Sequence, residues 1–293
     1  MHTKNFKNGL FICFIFLSLD GSAVERVTVI GAREASLSLA VISQPGNFSI
    51  FHNQAFLTLD QTPGVANQSI SAGVSLRQPF LINGYNESAL AVVIPTHDIV
   101  FAVGITHSGI GNYSESSFGL ALAKRLTRKL SAGLLFNYFT FNLPESGTSR
   151  GSFQLDGGLG YQYSEFLSFG LHLRNIIVTP CSTFQYEIAF PMLLRAGTSC
   201  LLTEKILLSA EAVYQTNTGA EKGSGFNIRF GMEYLILENF FLRGGMSVTP
   251  FQHTVGFGYR WKSCQLDFAL VHHEFLGYTP IFSLSCNFTH PPH

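Results

Sequence analysis

From about residue 69 to the end of the chain, apolar and polar side chains alternate one by one in stretch after stretch. A period of two leaves few folds open, because successive side chains of a strand point to opposite faces. In the last stretch, Phe282, Leu284, Cys286 and Phe288 alternate with Ser283, Ser285 and Asn287. Earlier, Phe153, Leu155, Leu159, Tyr161 and Tyr163 share a face against Gln154, Asp156, Gly158, Gly160 and Gln162, and Val255, Phe257, Tyr259 and Trp261 oppose Gly256, Gly258 and Arg260. One face suits an apolar surround and the other suits water. A soluble sandwich would also alternate, but it gives no reason for connections that alternate in length along the chain. Tight polar turns fall at Pro95 to Asp98, Thr127 to Arg128, Ser164 to Phe166, Thr203 to Lys205, Leu237 to Asn239 and Lys262 to Cys264. Longer links fall between them, among them Gly109 to Glu115, Thr179 to Gln185 and Asn217 to Gly225. With about fourteen strands in all, an even number, this predicts an all-β fold: a transmembrane antiparallel β-barrel with its short turns at the periplasmic end. Tyr161, Tyr163, Tyr234, Tyr259 and Trp261 fall toward that end, where an aromatic girdle meets lipid headgroups.

Composition agrees. Charged residues make up only 12% of the chain, balanced at 18 basic and 18 acidic, beside 28 Phe, 10 Tyr and 28 Gly. That is too few ionised groups to coat a water-facing exterior of this size. The neutral balance argues against nucleic acid as a partner, and no later apolar run of about twenty residues marks a helical membrane protein. At the N-terminus, Lys4 and Lys7 precede the apolar stretch Leu10 to Leu19, and Gly21-Ser22-Ala23 supplies small residues for cleavage. The expected division is a signal peptide over 1–23, an N-terminal plug-like segment over 24–68, an outer-membrane barrel over 69–288 and a short tail over 289–293. Cys13 would leave with the signal, and the remaining cysteines would face an oxidising compartment.

The lumen side of the C-terminal half gathers Arg195, Glu211, Arg229, Glu233, Arg243, Arg260 and Asp267 on neighbouring strands. Two readings stand side by side: a ladder of paired charges that satisfies a crowded wall, or a polar constriction that selects what passes. His272 and His273 are adjacent in a strand and point to opposite faces, so no metal site is expected. Neither a catalytic motif nor a cofactor motif is present, and the expectation is a non-enzyme without cofactor. A hairpin centred near Phe275 sets Cys264 opposite Cys286, close enough for a disulfide, although two free thiols acting as small apolar residues fit the same register. Cys181 and Cys200 are expected to be unpaired.

Fourteen strands spaced about 4.8 Å apart and tilted about 40° enclose a cylinder roughly 28 Å across, too wide for wall side chains to close. Many lumen positions are small, including Gly133, Gly158, Gly160, Gly170, Gly231, Gly245, Gly256 and Gly258. The segment from Val24 to Asn67 has no sheet pattern, yet Phe48, Phe51, Phe56 and Leu57 need burial, and Asn53 is placed to cap a short helical turn. It is expected to fold into the barrel as a plug, with Arg33 pairing to Glu211, Glu233 or Asp267. A periplasmic tail docking on a partner is the alternative.

Gly31-Ala32-Arg33 followed by His52-Asn53-Gln54-Ala55-Phe56-Leu57 resembles the N-terminal signature of PorV- and FadL-like outer-membrane barrels. Leu276-Gly277-Tyr278-Thr279-Pro280 with Phe282-Ser283-Leu284 is similar to their last hairpin. The resemblance implies a fourteen-stranded barrel with its N-terminal segment tucked inside. It also implies passage of small, partly hydrophobic molecules or, alternatively, a type IX secretion accessory that docks secretion or envelope proteins through its outer loops. Outer-membrane lipid and small hydrophobic solutes are the partners expected under the first reading.

Overall fold

A computed structural model describes residues 29–58, 69–143, 148–179, 181–182, 187–188, 190–216 and 225–288. The signal peptide expected over 1–23 and the tail expected over 289–293 lie outside the described residues. The strands are β1 (Ile70–Arg77), β2 (Asn86–Pro95), β3 (Ile99–Ile110), β4 (Tyr113–Arg125), β5 (Leu130–Leu143), β6 (Thr148–Gln162) and β7 (Leu167–Val178), then the two-residue strands β8 (Cys181–Ser182) and β9 (Glu187–Ile188). They continue with β10 (Leu193–Thr203), β11 (Ile206–Gln215), β12 (Gly225–Leu237), β13 (Phe240–Ser247), β14 (Gln252–Trp261), β15 (Cys264–His273) and β16 (Gly277–Phe288). All but β8 and β9 form one closed, fourteen-stranded antiparallel barrel, sealed where β1 pairs with β16 from Ile70↔Phe288 to Arg77↔Ile281. No described helix is long and apolar enough to cross a membrane; the crossing elements are strands.

The alternation sorts side chains as a barrel in lipid requires. On β16, Phe282, Leu284 and Phe288 are exposed on the outer wall, while Thr279, Ile281 and Ser283 are buried inside. On β14, Val255, Phe257, Tyr259 and Trp261 point out and Thr254, Gly256 and Gly258 point in. A continuous exposed apolar exterior of this kind is stable only against hydrocarbon.

Two connections differ from the sequence reading. The link expected over Gly109 to Glu115 is a two-residue turn at Gly111 and Asn112, because cross-strand bonds between Thr106 and Ser117 (2.6 Å) and between His107 and Ser116 (2.9 Å) carry the ladder outward. Gly111 takes the positive φ of 58° that this turn demands. The strand expected from Ile188 joins the barrel only at Leu193, since Pro191 has no N–H to give the ladder. Upstream, Glu187–Ile188 pairs instead with Cys181–Ser182 in a separate two-stranded sheet.

Inside the ring lies the segment 29–58, folded as helix α1 (Ala32–Ser36), helix α2 (Ser49–His52) and a 3-10 turn over Gln54–Thr58. Asn53 opens that turn, accepting the Ala55 N–H at 3.2 Å. Nearly every residue of the segment is buried. Its two sides meet different walls. Phe48, Ile50 and Leu57 pack on Ala89, Ala91, Ala102, Ala121, Ala123 and Leu135 of β2 to β5, and each fully buried apolar side chain contributes about 1.5–3 kcal/mol. Ala32 and Ala35 of α1 pack on Ala269 and Ile281 beside the charged half of the wall.

Candidate functional site

The charged residues form two clusters. Arg195 Nε donates to Glu211 at 2.7 Å and Arg229 lies 3.6 Å from the same carboxylate. Arg243 bonds both Glu233 (2.6 Å) and Asp267 (2.7 Å), and Arg33 of the inner segment completes Glu233 at 3.0 Å. Of the three carboxylates that the sequence offered to Arg33, Glu233 takes it, shared with Arg243 of the wall. Arg260 departs from the ladder: it makes no ion pair among the described residues and rests 4.9 Å from the centre of the Phe241 ring, exposed near the short-turn end. Asp267, the carboxylate nearest in register, is already held by Arg243 and Gln265.

The same wall groups reach into the segment. Arg195 donates to the carbonyls of His52 (3.5 Å) and Leu39 (3.4 Å), and Glu211 accepts the Ile42 N–H at 3.3 Å. Ser168 and Ser199 both donate to Ser43 O, at 2.8 and 2.9 Å. Ser75 and Ser283 receive the N–H groups of Gly31 and Ala32. Asn53 donates to Ile42 O at 2.9 Å and Leu159 O at 3.1 Å.

These bonds form because the wall glycines let the segment come close. A Cβ on Gly170 would stand 2.2 Å from Ile42 O, one on Gly133 would stand 2.6 Å from the Gln54 carbonyl carbon, and one on Gly245 2.6 Å from that of Leu37. Gly158 and Gly160 likewise face Asn53 and Phe56, Gly231 faces Leu37 and Gly256 faces Ser36. Gly258 instead faces Asp267 and Arg243. Apart from Gly258, the space that these glycines leave is filled by segment 29–58.

Burial and neighbouring charge set the protonation of the segment. Burial, reinforced by Arg195, lowers His52 to about 3. The ring is neutral there, and its Nε2–H donates to Ile30 O at 2.9 Å. Burial raises Glu34 to about 7, partly offset by Arg33. Burial alone would lower Arg33, but Glu233 and Glu34 hold it above its ordinary value.

Two chambers flank the segment. On the short-turn side, a cavity of about 450 Å³ is bordered by Arg33, Glu34, Arg243, Arg260, Lys262 and Asp267. Toward the outer mouth, a cavity of about 120 Å³ has Ile30 and Phe51 of the segment on one side. Leu135, Phe139, Phe190 and Leu193 line it too, with Gln154, Asp156, Arg174 and Asn175. Phe190 reaches it from the long link before β10, where no alternation exists to announce a lumen position. Asn175 is turned inward by a register break between β6 and β7, with φ 59° and its N–H on Asp156 Oδ1 at 2.7 Å.

Cys264 and Cys286 face each other in register and are joined by a disulfide with Cα atoms 4.1 Å apart. Cys200 is free. Cys181 lies in β8.

No family model matches the chain, and no curated protein matches it in sequence. Solved structures do share its fold. The CymD monoaromatic hydrocarbon channel superposes with a TM-score of 0.65 at 16% identity, covering 90% of this chain and 98% of that one. The toluene transporter TodX of P. putida gives 0.61 at 13% identity, covering 87% and 99%. A FadL homologue of Pseudomonas aeruginosa gives 0.60 at 10% identity, covering 89% and 98%. The fold is that of the FadL-type barrels. The PorV part of the resemblance is not carried by these structures.

Proposed function

We propose that this chain resides in the outer membrane and lets small, partly hydrophobic molecules cross it without catalysing a reaction on them. The observation that carries the reading is the outer cavity, which is walled by Phe139, Phe190, Leu135 and Leu193 and floored by Ile30 and Phe51 of the inner segment. A solute entering from outside passes Arg77, Glu87 and Glu115, then meets the apolar side chains and the segment, which acts as a plug. Among the described residues the plug is docked by side-chain hydrogen bonds and the Arg33–Glu233 ion pair rather than by sheet pairing, so it can yield without opening the wall. The wall's buried ion pairs keep Arg195 and Glu211 in place to bond it, because an unpaired charge left inside costs about 3–5 kcal/mol. This favours the paired-charge reading of Arg195, Glu211, Arg229, Glu233, Arg243 and Asp267. Arg260 stands outside that set. The hydrocarbon channels that share the fold support solute passage over docking of secretion proteins. Outer-membrane lipid covers the apolar exterior.

The test is uptake into vesicles whose outer leaflet carries lipopolysaccharide, which slows spontaneous entry. Toluene should enter faster with the protein than without it, and glucose should not. Equal toluene entry with and without protein would remove the reading.

A further inference from the structure

The outer cavity carries polar chemistry that a hydrocarbon does not use, and we propose that it binds small hydroxylated aromatic molecules, phenols in chemical class. The ring is held among Phe51, Phe139 and Phe190, and the hydroxyl is held by Gln154 and Asn175. This inference rests on the transport reading and names its solute.

Size comes first. An engineered cavity of about 150 Å³ with an aliphatic and aromatic lining holds benzene. At about 120 Å³, partly open to the mouth, this cavity takes one ring and not a long acyl chain. Phe139 and Phe190 meet edge to face, with centroids 5.2 Å apart, which leaves a ring face free to stack on a guest.

Two buried amide atoms then decide the chemistry. Gln154 is only 7% exposed, and its Oε1 accepts from Asn137 at 3.1 Å, while its Nε2 has no partner. Asn175 gives its Nδ2 to Pro191 O at 2.9 Å, while its Oδ1 is buried with no partner. Both residues line the cavity, and Asp156 joins them: it is two residues from Gln154 on the inner face of β6 and accepts the Asn175 N–H. Each buried polar atom without a partner costs about 1–3 kcal/mol. A hydroxyl donates and accepts at once, so it offers a partner to the orphan donor and to the orphan acceptor alike. It replaces any water there without losing a bond. A bare hydrocarbon leaves both unmet. A carboxylate would face Asn175 Oδ1 and Asp156, and the nearby cations Arg174 and Arg77 are opposed by Asp156, Glu87 and Glu115 in the same lining.

Equilibrium binding to the full chain in detergent, corrected for partition into protein-free micelles, compares p-cresol, toluene and p-toluate. The p-cresol affinity should exceed that of toluene by roughly tenfold, and p-toluate should bind no tighter than toluene. Gln154→Met keeps length and removes the amide; Asn175→Gly keeps the positive φ and removes the acceptor. Each should bring p-cresol down toward toluene. Equal affinity for the two rings, tighter p-toluate, or a preference that survives both substitutions would overturn the proposal. Uptake is read separately: a p-cresol preference without uptake of either ring refutes transport and leaves the site standing, while uptake of both without a preference refutes the site alone.

Discussion

Adding a single methyl group to the wall should undock the plug. In Gly170→Ala, the new Cβ would lie 2.2 Å from Ile42 O and 2.7 Å from its carbonyl carbon, whereas ordinary contact begins at 3.4 Å. Something must therefore shift by more than an ångström, and the obstacle is backbone rather than the end of a flexible side chain. The wall cannot give, since Gly170 is paired to Gly160 on one side and to Gly197 on the other. The plug has to move at Ile42 and Ser43. That shift stretches the bonds from Ser168 (2.8 Å) and Ser199 (2.9 Å) to Ser43 O, and from Asn53 (2.9 Å) to Ile42 O. At about 1 kcal/mol each, the loss is about 3 kcal/mol, on the order of a hundredfold in the ratio of docked to released plug. In planar bilayers the native protein should be nearly silent, and Gly170→Ala should open in frequent bursts. Gly244→Ala is the control, because its nearest neighbour is 3.7 Å away. A silent Gly170→Ala channel, or bursts of equal frequency from Gly244→Ala, would refute the view that the plug's seat is cut to glycine.

Removal of residues 24–67 should turn the silent barrel into one with large steady conductance; an intact protein that already conducts like an open porin contradicts plugging. Two substitutions should expose opposite pH dependences. Glu34, at about 7 against an ordinary 4.5, favours docking below pH 4.5 and loses that contribution as pH rises through 7. His52, at about 3 against 6.5, contributes above pH 6.5 and loses it as pH falls toward 3. Bilayer conductance of Glu34→Gln should therefore rise on acidification from pH 7 to 4, and that of His52→Gln should fall; identical profiles for the two would dismiss both assignments. The disulfide closes a separation of 22 residues, so Cys264→Ser should lower stability by about 3 kcal/mol in denaturant titration, and mass mapping without reductant should find Cys200 alkylated while Cys264 and Cys286 are protected. Alkylation of both would remove the bridge.

The barrel was legible because its two faces are written in different chemistry on most strands, as at Phe257 against Gly256 and Gly258. It was least legible on β2 to β4, where Ala89, Ala91, Ala102 and Ala121 face the plug and both faces read as apolar. Strand ends were misjudged where cross-strand side-chain bonds lengthen the ladder, as between Thr106 and Ser117. The charged wall could be read from inward positions alone, but its pairing could not. That Arg33 takes Glu233 while Arg260 takes the Phe241 ring depends on reach across strands, which spacing does not encode. The outer cavity was hidden for a stronger reason. Asn175 enters it through a register break and Phe190 through an irregular link, and neither leaves a period in the sequence.

The bridge between Cys264 and Cys286 lies within one hairpin, not across the seam where β1 meets β16. It can therefore form while the ring is still open, from residues local in the chain. Once made, it fixes which residue of β16 stands beside which residue of β15, and so settles the handedness of faces on the edge that must still find β1. A slip of one residue at that edge would turn Phe282 and Leu284 inward and Ser283 out to lipid. The cross-link thus acts as a template for the final join: the first strand arrives at an edge whose inside and outside have already been decided.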